Sequence, residues 1–171
     1  SATWIQKVEA DIEEEEHHHQ HDCAEEHHHH HEHNEHCHCC HCSSHKGEEG
    51  AHGITSFVYY RRRPFNLNRF DEFVARYWDK NIIRCKGICY FEEEYDMCYL
   101  FEQAGKQFDL KQAGTFYATM PQEELMQLMA SDPMLQRDWD DHYGDRMQKL
   151  VFIGQHLDKE TICQALDNCL V

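Results

Sequence analysis

The stretch GDRMQKLVFIGQHLDKETICQALDNCLV, residues 144–171, contains the clearest strand and the clearest helix of this sequence. Its four consecutive apolar residues, 150–153, predict a strand that is covered on both faces, because no polar residue interrupts them. Asp158 is predicted to cap the helix that follows. Apolar residues then recur at the spacing of one helix face: Ile162, Ala165, Leu166, Cys169 and Leu170. The stretch therefore predicts a buried strand followed by an amphipathic helix.

Three elements are predicted upstream of this stretch. ITSFVYYR (Ile54–Arg61) is rich in β-branched and aromatic residues, which favour a strand, and Pro64 ends it. A helix with Asn66 or Asn68 as its cap is predicted next. Its apolar residues are Leu67, Phe70, Phe73, Val74, Tyr77 and Trp78. IIRCKGICYFEE (Ile82–Glu93) predicts the second strand.

Two shorter strands and one helix are predicted between these parts. The strands are Met97–Phe101 and Thr115–Thr119. The tetrapeptide Thr119–Gln122 resembles a capping box with proline at the helix start, so it predicts a helix over Gln122–Ala130. The complete order is β-α-β-β-β-α-β-α. It predicts an α+β fold with a mostly antiparallel sheet and helices packed on one face.

Charge and apolar residues divide the 171 residues near position 52. Residues 1–52 contain 13 acidic residues and two lysines, whereas residues 53–171 contain 19 acidic residues, 14 basic residues and nearly all of the large apolar side chains. We therefore expect one globular domain over residues 53–171. Residues 1–16 are interpreted as a hinge helix or as the remnant of an upstream domain. Since the first residue is not Met, we expect a trimmed chain or a fragment.

The net charge of −16 argues against nucleic-acid binding, because phosphate neutralisation supplies most of that binding energy. No apolar run approaches the roughly 20 residues of a membrane span, and no secretory signal is present, so no membrane association is predicted. Cys37, Cys39, Cys40 and Cys42 are too close together for separate disulfides. Thiols of this kind predict a reducing, cytoplasmic location.

Residues 17–52, termed the His/Cys arm, contain 15 of the 17 histidines and five of the ten cysteines. The densest part, residues 27–42, reads HHHHHEHNEHCHCCHC. Imidazole nitrogen and thiolate sulfur are ligands that zinc prefers, and a segment with so few apolar residues cannot form a core. We therefore predict a disordered arm that collects zinc or another divalent transition metal, such as nickel, cobalt or copper. A purification tag or a plain linker would not contain these cysteines.

Neighbouring ligands in the His/Cys arm cannot all face one ion, so we expect several partial sites with loose binding and fast exchange. Such sites suit collection and transfer of a metal. Because metal must displace protons from Cys and His, its affinity is expected to fall as the pH drops toward the imidazole range. The predicted ligands are His17, His18, His19, His21, Cys23, His27, His28, His29, His30, His31, His33, His36, Cys37, His38, Cys39, Cys40, His41, Cys42 and His45.

The folded part contains a small basic cluster, Arg61, Arg62 and Arg63, at the end of the first predicted strand. These arginines are interpreted equally as a contact with acidic groups of another domain or client and as a charged strand end that protects a sheet edge. Asp145 and Arg146 are interpreted as a turn-stabilising pair or as an interface.

The remaining thiols and imidazoles of the folded part are assigned structural roles. Buried or nearly buried positions are expected for Cys85, Cys89, Cys98, Cys163 and Cys169. His142 and His156 stand alone near predicted loops, where a surface or capping role is favoured over a metal ligand.

Three phrases of the folded part resemble the C-terminal domain of the CobW-type GTPases. They are GITSFVYYRRRPFNLNRF (residues 53–70), IIRCKGICYF (residues 82–91) and the stretch quoted first, and they occur in the order of that family. Members of the family often carry a His-rich segment between the GTPase domain and this domain, which is where the His/Cys arm lies. The resemblance implies a metallochaperone or cobalamin-related GTPase that delivers a divalent metal, often zinc. Its partners would be its own GTPase domain and client metalloproteins.

The resemblance implies GTP and Mg only for the upstream GTPase domain. No GxxxxGK[ST] phosphate loop occurs in these 171 residues and no catalytic residue of the family maps onto them, so the chain itself is not predicted to be an enzyme. The family's C-x-C-C metal motif belongs to the GTPase domain, and its role is not transferred to Cys37–Cys40. The alternatives are a zinc or nickel storage or sensing protein without a GTPase partner, and an enzyme with its own metal centre.

Overall fold

The computed structural model describes residues 53–171, which form an α+β fold. In chain order the elements are β1 (Ile54–Arg61), α1 (Leu67–Arg76), β2 (Ile82–Cys89), β3 (Met97–Ala104), β4 (Gln107–Thr115), α2 (Gln122–Ser131), α3 (Pro133–Asp138), β5 (Gln148–Gln155) and α4 (Lys159–Asp167). The predicted fold class is confirmed, and α3 is an additional helix. The His/Cys arm and residues 1–16 lie outside the described residues.

The sheet has the strand order β1-β5-β2-β3-β4, and every neighbouring pair is antiparallel. The last strand in sequence, β5, lies between β1 and β2, where Phe152 is paired with Phe57 on one side and with Cys85 on the other. Gly87 permits the close approach of β2 to β5, since a Cβ there would lie 2.0 Å from the backbone oxygen of Lys149. The apolar run that predicted a strand is therefore an interior strand.

The helices α1 and α4 pack on one face of the sheet and form the larger core. Asn66 caps α1 by accepting the N–H of Arg69 at 3.1 Å, and Asp158 caps α4 by accepting the N–H of Thr161 at 3.1 Å. The helices bury Phe70, Phe73, Ile162 and Leu166 against Phe57, Leu150 and Phe152 of the sheet. Each fully buried side chain of this size contributes about 1.5–3 kcal/mol, so this face supplies most of the packing.

A smaller core covers one end of the opposite face. Its buried residues are Ile88, Tyr90, Cys98, Phe116, Met147 and Val151. Val151 lies between Leu150 and Phe152 in sequence and points to the other face, so β5 is buried on both faces there, as predicted. Toward the end of β5 this opposite face is less buried, since Ile153 is only half-buried.

The predicted strand Thr115–Thr119 is wrong. The fourth strand, β4, comes earlier and ends at Thr115, while Tyr117–Thr119 form a short 3-10 helix. A hairpin joins β3 to β4 through Gly105, which has a φ of 59°. Residues 107–112 are all exposed on the edge strand β4, and their two apolar residues form too short an alternation to predict a strand.

Other predicted element ends also differ. The second strand ends at Cys89 rather than Glu93, because Glu92–Glu94 form a 3-10 helix. The third strand continues past the predicted end to Ala104. The capping box before α2 is wrong, because Thr119 Oγ1 donates to a carbonyl oxygen within its own 3-10 turn and α2 has no side-chain cap.

Asp132 separates α2 from α3 and caps α3. Its carboxylate accepts the N–H groups of Met134 and Leu135 at 3.0 and 3.1 Å, and Pro133 occupies the first turn of α3. Helical structure therefore continues beyond the predicted end at Ala130, because Asp132 caps a second helix, α3.

Candidate functional site

The predicted metal ligands, from His17 to His45, lie outside the described residues. Within residues 53–171, no group of three or more His, Cys, Asp or Glu side chains is arranged to hold a metal ion. No helix in the same residues is both long enough and apolar enough to cross a membrane.

The five cysteines of the described domain are free thiols dispersed through its cores. Cys85 and Cys89, on one face of β2, are 1% and 0% exposed, and burial raises the pKa of both thiols. Burial also raises the pKa of Cys169 to about 11. Cys98 is buried and Cys163 is half-buried. The prediction of core or near-core cysteines is confirmed.

Arg61 joins the end of β1 to the end of α4. Its Nε and Nη2 atoms donate to the two carboxylate oxygens of Asp167 at 2.8 and 3.0 Å, and the Tyr59 hydroxyl donates to the same carboxylate at 2.9 Å. The guanidinium carbon lies 4.8 Å from the centre of the Tyr59 ring. Burial, followed by the Asp167 hydrogen bond, raises the pKa of Tyr59, so it remains a hydroxyl donor. This network orients α4 on the sheet.

Arg62 and Arg63 also have partners inside the domain. Arg62 Nη1 donates to the backbone oxygens of Gly144 and Arg146 at 3.1 and 3.3 Å, and its Nη2 donates to that of Asp138. Arg63 Nε donates to the carbonyl oxygen of residue 171 at 2.7 Å. The basic cluster thus ties the end of β1 to three parts of the chain. Its role in contact with another protein stays a prediction.

Asp145 and Arg146 fix the loop that precedes β5. The Asp145 carboxylate is 7% exposed and accepts the N–H groups of residues 117–118 at 2.7 and 2.9 Å. Arg146 donates to the Tyr95 carbonyl oxygen at 3.1 Å and to the Asp96 carboxylate at 2.5 Å, and its guanidinium lies 4.4 Å from the Tyr95 ring centre. Both residues therefore stabilise turns, which is one of the two interpretations left open by the sequence.

The two histidines of the domain lie at its surface, as predicted. His142 is exposed, with its ring 4.5 Å from that of Tyr143. His156 is exposed in the turn after β5, where it has a φ of 55°.

The sequence predicted α2 but not α3, nor the surface that the two helices form, and neither helix has a buried residue. Met126 and Met134 are 65% and 57% exposed. Four of the six methionines of the chain lie within residues 120–134. Residues 122–141 also contain six acidic residues and one arginine, whereas the rest of residues 53–171 contains 13 of each charge. Methionine density together with local charge is the signal that could have found this surface.

The sequence model of one protein family, the cobalamin synthesis protein cobW C-terminal domain, matches residues 54–170. The chain belongs to this family. The match extends from the first residue of β1 beyond the end of α4, so it includes every strand and helix described above. The resemblance of the three sequence phrases to a CobW C-terminal domain is confirmed.

Relatives of this CobW C-terminal domain are longer proteins. The zinc-regulated GTPase metalloprotein activator 1 of Dictyostelium discoideum is 28% identical over 130 residues, which are 74% of this chain and 27% of that protein. The crystal structures of the Zn(II)-bound YjiA GTPase from E. coli and of its Zn(II)-bound triple mutant each have a TM-score of 0.46. The sequence identity is 18% for both structures, and the matched region covers 70% of this chain and 30% of each YjiA chain.

Proposed function

We propose that this chain is the metal-binding and protein-docking C-terminal part of a GTP-dependent metallochaperone, which delivers zinc or another divalent metal to client proteins. The proposal rests on the position of two segments next to each other in the sequence. A CobW C-terminal domain, matched from residue 54, directly follows a segment with 15 histidines and five cysteines. The name of the Dictyostelium relative, which combines zinc regulation, a GTPase and metalloprotein activation, supports the same function.

The proposed function divides the chain into a part that binds metal and a part that recognises proteins. Zinc is cargo, and its ligands are the imidazoles and thiolates of the His/Cys arm, since those groups match its coordination preference. Overlapping sites exchange metal quickly, which suits delivery. The CobW C-terminal domain contacts the GTPase domain of the parent protein and the client metalloprotein, and Arg61, Arg62 and Arg63 are candidates for those contacts.

GTP and Mg belong to the parent protein in this proposal. The chain spans 27% of the length of the Dictyostelium relative, so GTP hydrolysis is assigned to a domain that these residues do not include. Delivery takes place in the cytoplasm, where reduced thiols persist. The clients are metalloproteins or the enzymes that assemble cobalamin-type cofactors.

Zinc retention by the intact chain and by a variant without residues 17–52 tests the proposal. Native mass spectrometry is expected to find several zinc ions on the intact chain and none on the shortened one. A second control replaces the arm cysteines Cys37, Cys39, Cys40 and Cys42 with serine, and partial loss of zinc is expected because imidazoles remain. Equal retention by the intact and shortened chains would overturn the proposal.

A zinc or nickel storage or sensing protein is the second candidate, because the ligands of the His/Cys arm suffice for storage without any GTPase. Zinc transfer from the natural full-length protein to an apo-metalloprotein separates the two. The metallochaperone proposal expects transfer to accelerate with GTP, whereas a storage protein would release zinc at the same rate with or without nucleotide.

A further inference from the structure

We propose that the helix pair α2–α3 is a docking surface for a basic amphipathic helix of a partner protein. The proposal rests on the proposed function, in which the CobW C-terminal domain is the protein-docking module, and it adds the surface and the chemistry of the partner.

The apolar side chains of α2 form one helix face that the rest of the domain covers only in part. Leu125, Leu128 and Met129 have the i, i+3, i+4 spacing of one helix face, and all three are only half-buried. Met126 lies beside this face and is 65% exposed, and Met134 of α3 is 57% exposed. Within residues 53–171 the helix pair therefore presents apolar surface that the fold does not fully use.

Methionine suits such a surface. Its unbranched, flexible thioether side chain adapts to differently shaped apolar partners, which is why methionine is over-used where one surface binds several proteins. Met120, Met126, Met129 and Met134 place four such side chains in 15 residues. A chaperone that serves more than one client needs this adaptability.

Charge determines which partner fits. Residues 122–141 have a net charge of −5, from six acidic residues and Arg137, and the remaining residues of the domain balance at 13 acidic and 13 basic. The negative charge of the described domain is thus concentrated beside the exposed methionines. Charge complementarity requires a basic partner.

The same charge argues against two other occupants. The His/Cys arm with residues 1–16 contains 13 acidic residues and two lysines, so it is repelled. A second copy of α2–α3 carries the same net charge of −5 and is also repelled. A basic segment outside these 171 residues complements the charge of α2–α3, and we assign it to a partner protein.

A helix is the form of partner that the surface fits best. Apolar residues on a helix pair form ridges and grooves that accept the i, i+3, i+4 residues of a third helix. Glu123 and Glu124 are exposed in the first turn of α2, shortly before Met126. Lysines and arginines on the edge of a bound helix could therefore pair with these two carboxylates.

The test uses the full 171-residue chain and a synthetic peptide of roughly 18 residues, long enough to form a helix, with leucines on one face and lysines on the other. One control peptide has the same composition in an order that removes the apolar face. A second control has glutamate in place of lysine. Isothermal titration measures affinity, and amide hydrogen exchange locates the bound peptide.

Three variants separate contact from charge. Met126→Gln with Met134→Gln removes apolar surface while keeping side-chain length and helix propensity, and it is expected to weaken binding at least about tenfold. Tyr77→Gln is the matched control, since Tyr77 is 66% exposed on another part of the domain, and no change is expected. Glu123→Gln with Glu124→Gln is expected to reduce both the affinity and its dependence on salt.

The proposal is supported if the Leu/Lys peptide binds, protects amides within residues 122–138, and binds less tightly to the double methionine variant. It is overturned if the reordered peptide binds equally well, if protection falls elsewhere in the chain, or if no peptide binds. Zinc retention measured on the same samples keeps the two proposals apart, because a failed docking test with normal zinc binding leaves the metallochaperone proposal intact.

Discussion

The two pairs of helices in this domain differ in what they bury. The first pair, α1 and α4, is separated by most of the domain sequence and buries Phe70, Phe73, Ile162 and Leu166 against the sheet. The second pair, α2 and α3, is contiguous in sequence and buries no residue completely. Helices in proteins derive most of their stability from a packed apolar face. The comparison therefore separates helices that hold the fold together from helices that leave their apolar side chains partly exposed.

The largest expected difference between the pairs comes from truncating one side chain in each. Leu166→Ala in α4 is expected to lower the free energy of unfolding by about 2–5 kcal/mol, because Leu166 is fully buried and its removal leaves a cavity. Met126→Ala in α2 is expected to change it by less than about 0.5 kcal/mol. Urea unfolding followed by tryptophan fluorescence measures both. Equal losses would show that α2 belongs to the same packed unit.

The cap of α1 is the next largest effect. Asn66→Ala removes the side-chain oxygen that accepts the N–H of Arg69, so a loss of about 1 kcal/mol is expected. Asn68→Ala is the matched control, because Asn68 is exposed inside α1 and provides no cap. The same unfolding experiment distinguishes the two asparagines, which the sequence left as alternatives. A larger loss at Asn68 would contradict the observed cap.

Ion pairs of the two helix pairs are expected to differ by a smaller free energy. The Arg61–Asp167 pair joins β1 to α4 with side chains 26% and 40% exposed, and a double-mutant cycle with Arg61→Met and Asp167→Asn is expected to give a coupling of about 0.5 kcal/mol. The Arg137–Asp138 pair of α3 is 67% and 51% exposed. A cycle on that pair is expected to give a coupling near zero, and a coupling as large as that of Arg61 with Asp167 would contradict the distinction.

The smallest expected effect is the pH dependence of the α4 cap. The N–H and hydroxyl of Thr161 hold the pKa of Asp158 below its usual range. A carboxylate with a lowered pKa in the folded state stabilises that state above its unfolded pKa and loses this contribution as the pH falls. Asp158→Asn keeps a cap but removes the titration, so its thermal midpoint is expected to fall less than that of the natural chain between about pH 5 and about pH 2. Parallel curves for the two proteins would contradict this assignment.

The elements that sequence reasoning placed correctly are those with dense local signals. The bounds of β1 agree at both ends, since ITSFVYYR is bordered by glycine and by the arginines before Pro64. The cap at Asp158 was predicted from residues within four positions of the helix start, and the cap of α1 was narrowed to Asn66 or Asn68, of which the structure has Asn66. The misplaced strand is β4, which is exposed along most of its length and stands next to one strand only. Its two large apolar residues, Phe108 and Leu110, gave no local signal to distinguish it from a loop.

Neighbouring residues were enough to predict the family, the cap of α4 and the apolar run of β5, and they show the change in charge and apolar content near residue 52. The tertiary structure placed β5 between β1 and β2 and showed that the three arginines bond within the domain. It also decided that α2–α3 remains uncovered among the described residues. These features depend on which distant segments of the chain come into contact. A residue's hydrophobic or hydrogen-bonding preference does not specify which distant segment will satisfy it, so neighbouring residues alone could not predict them.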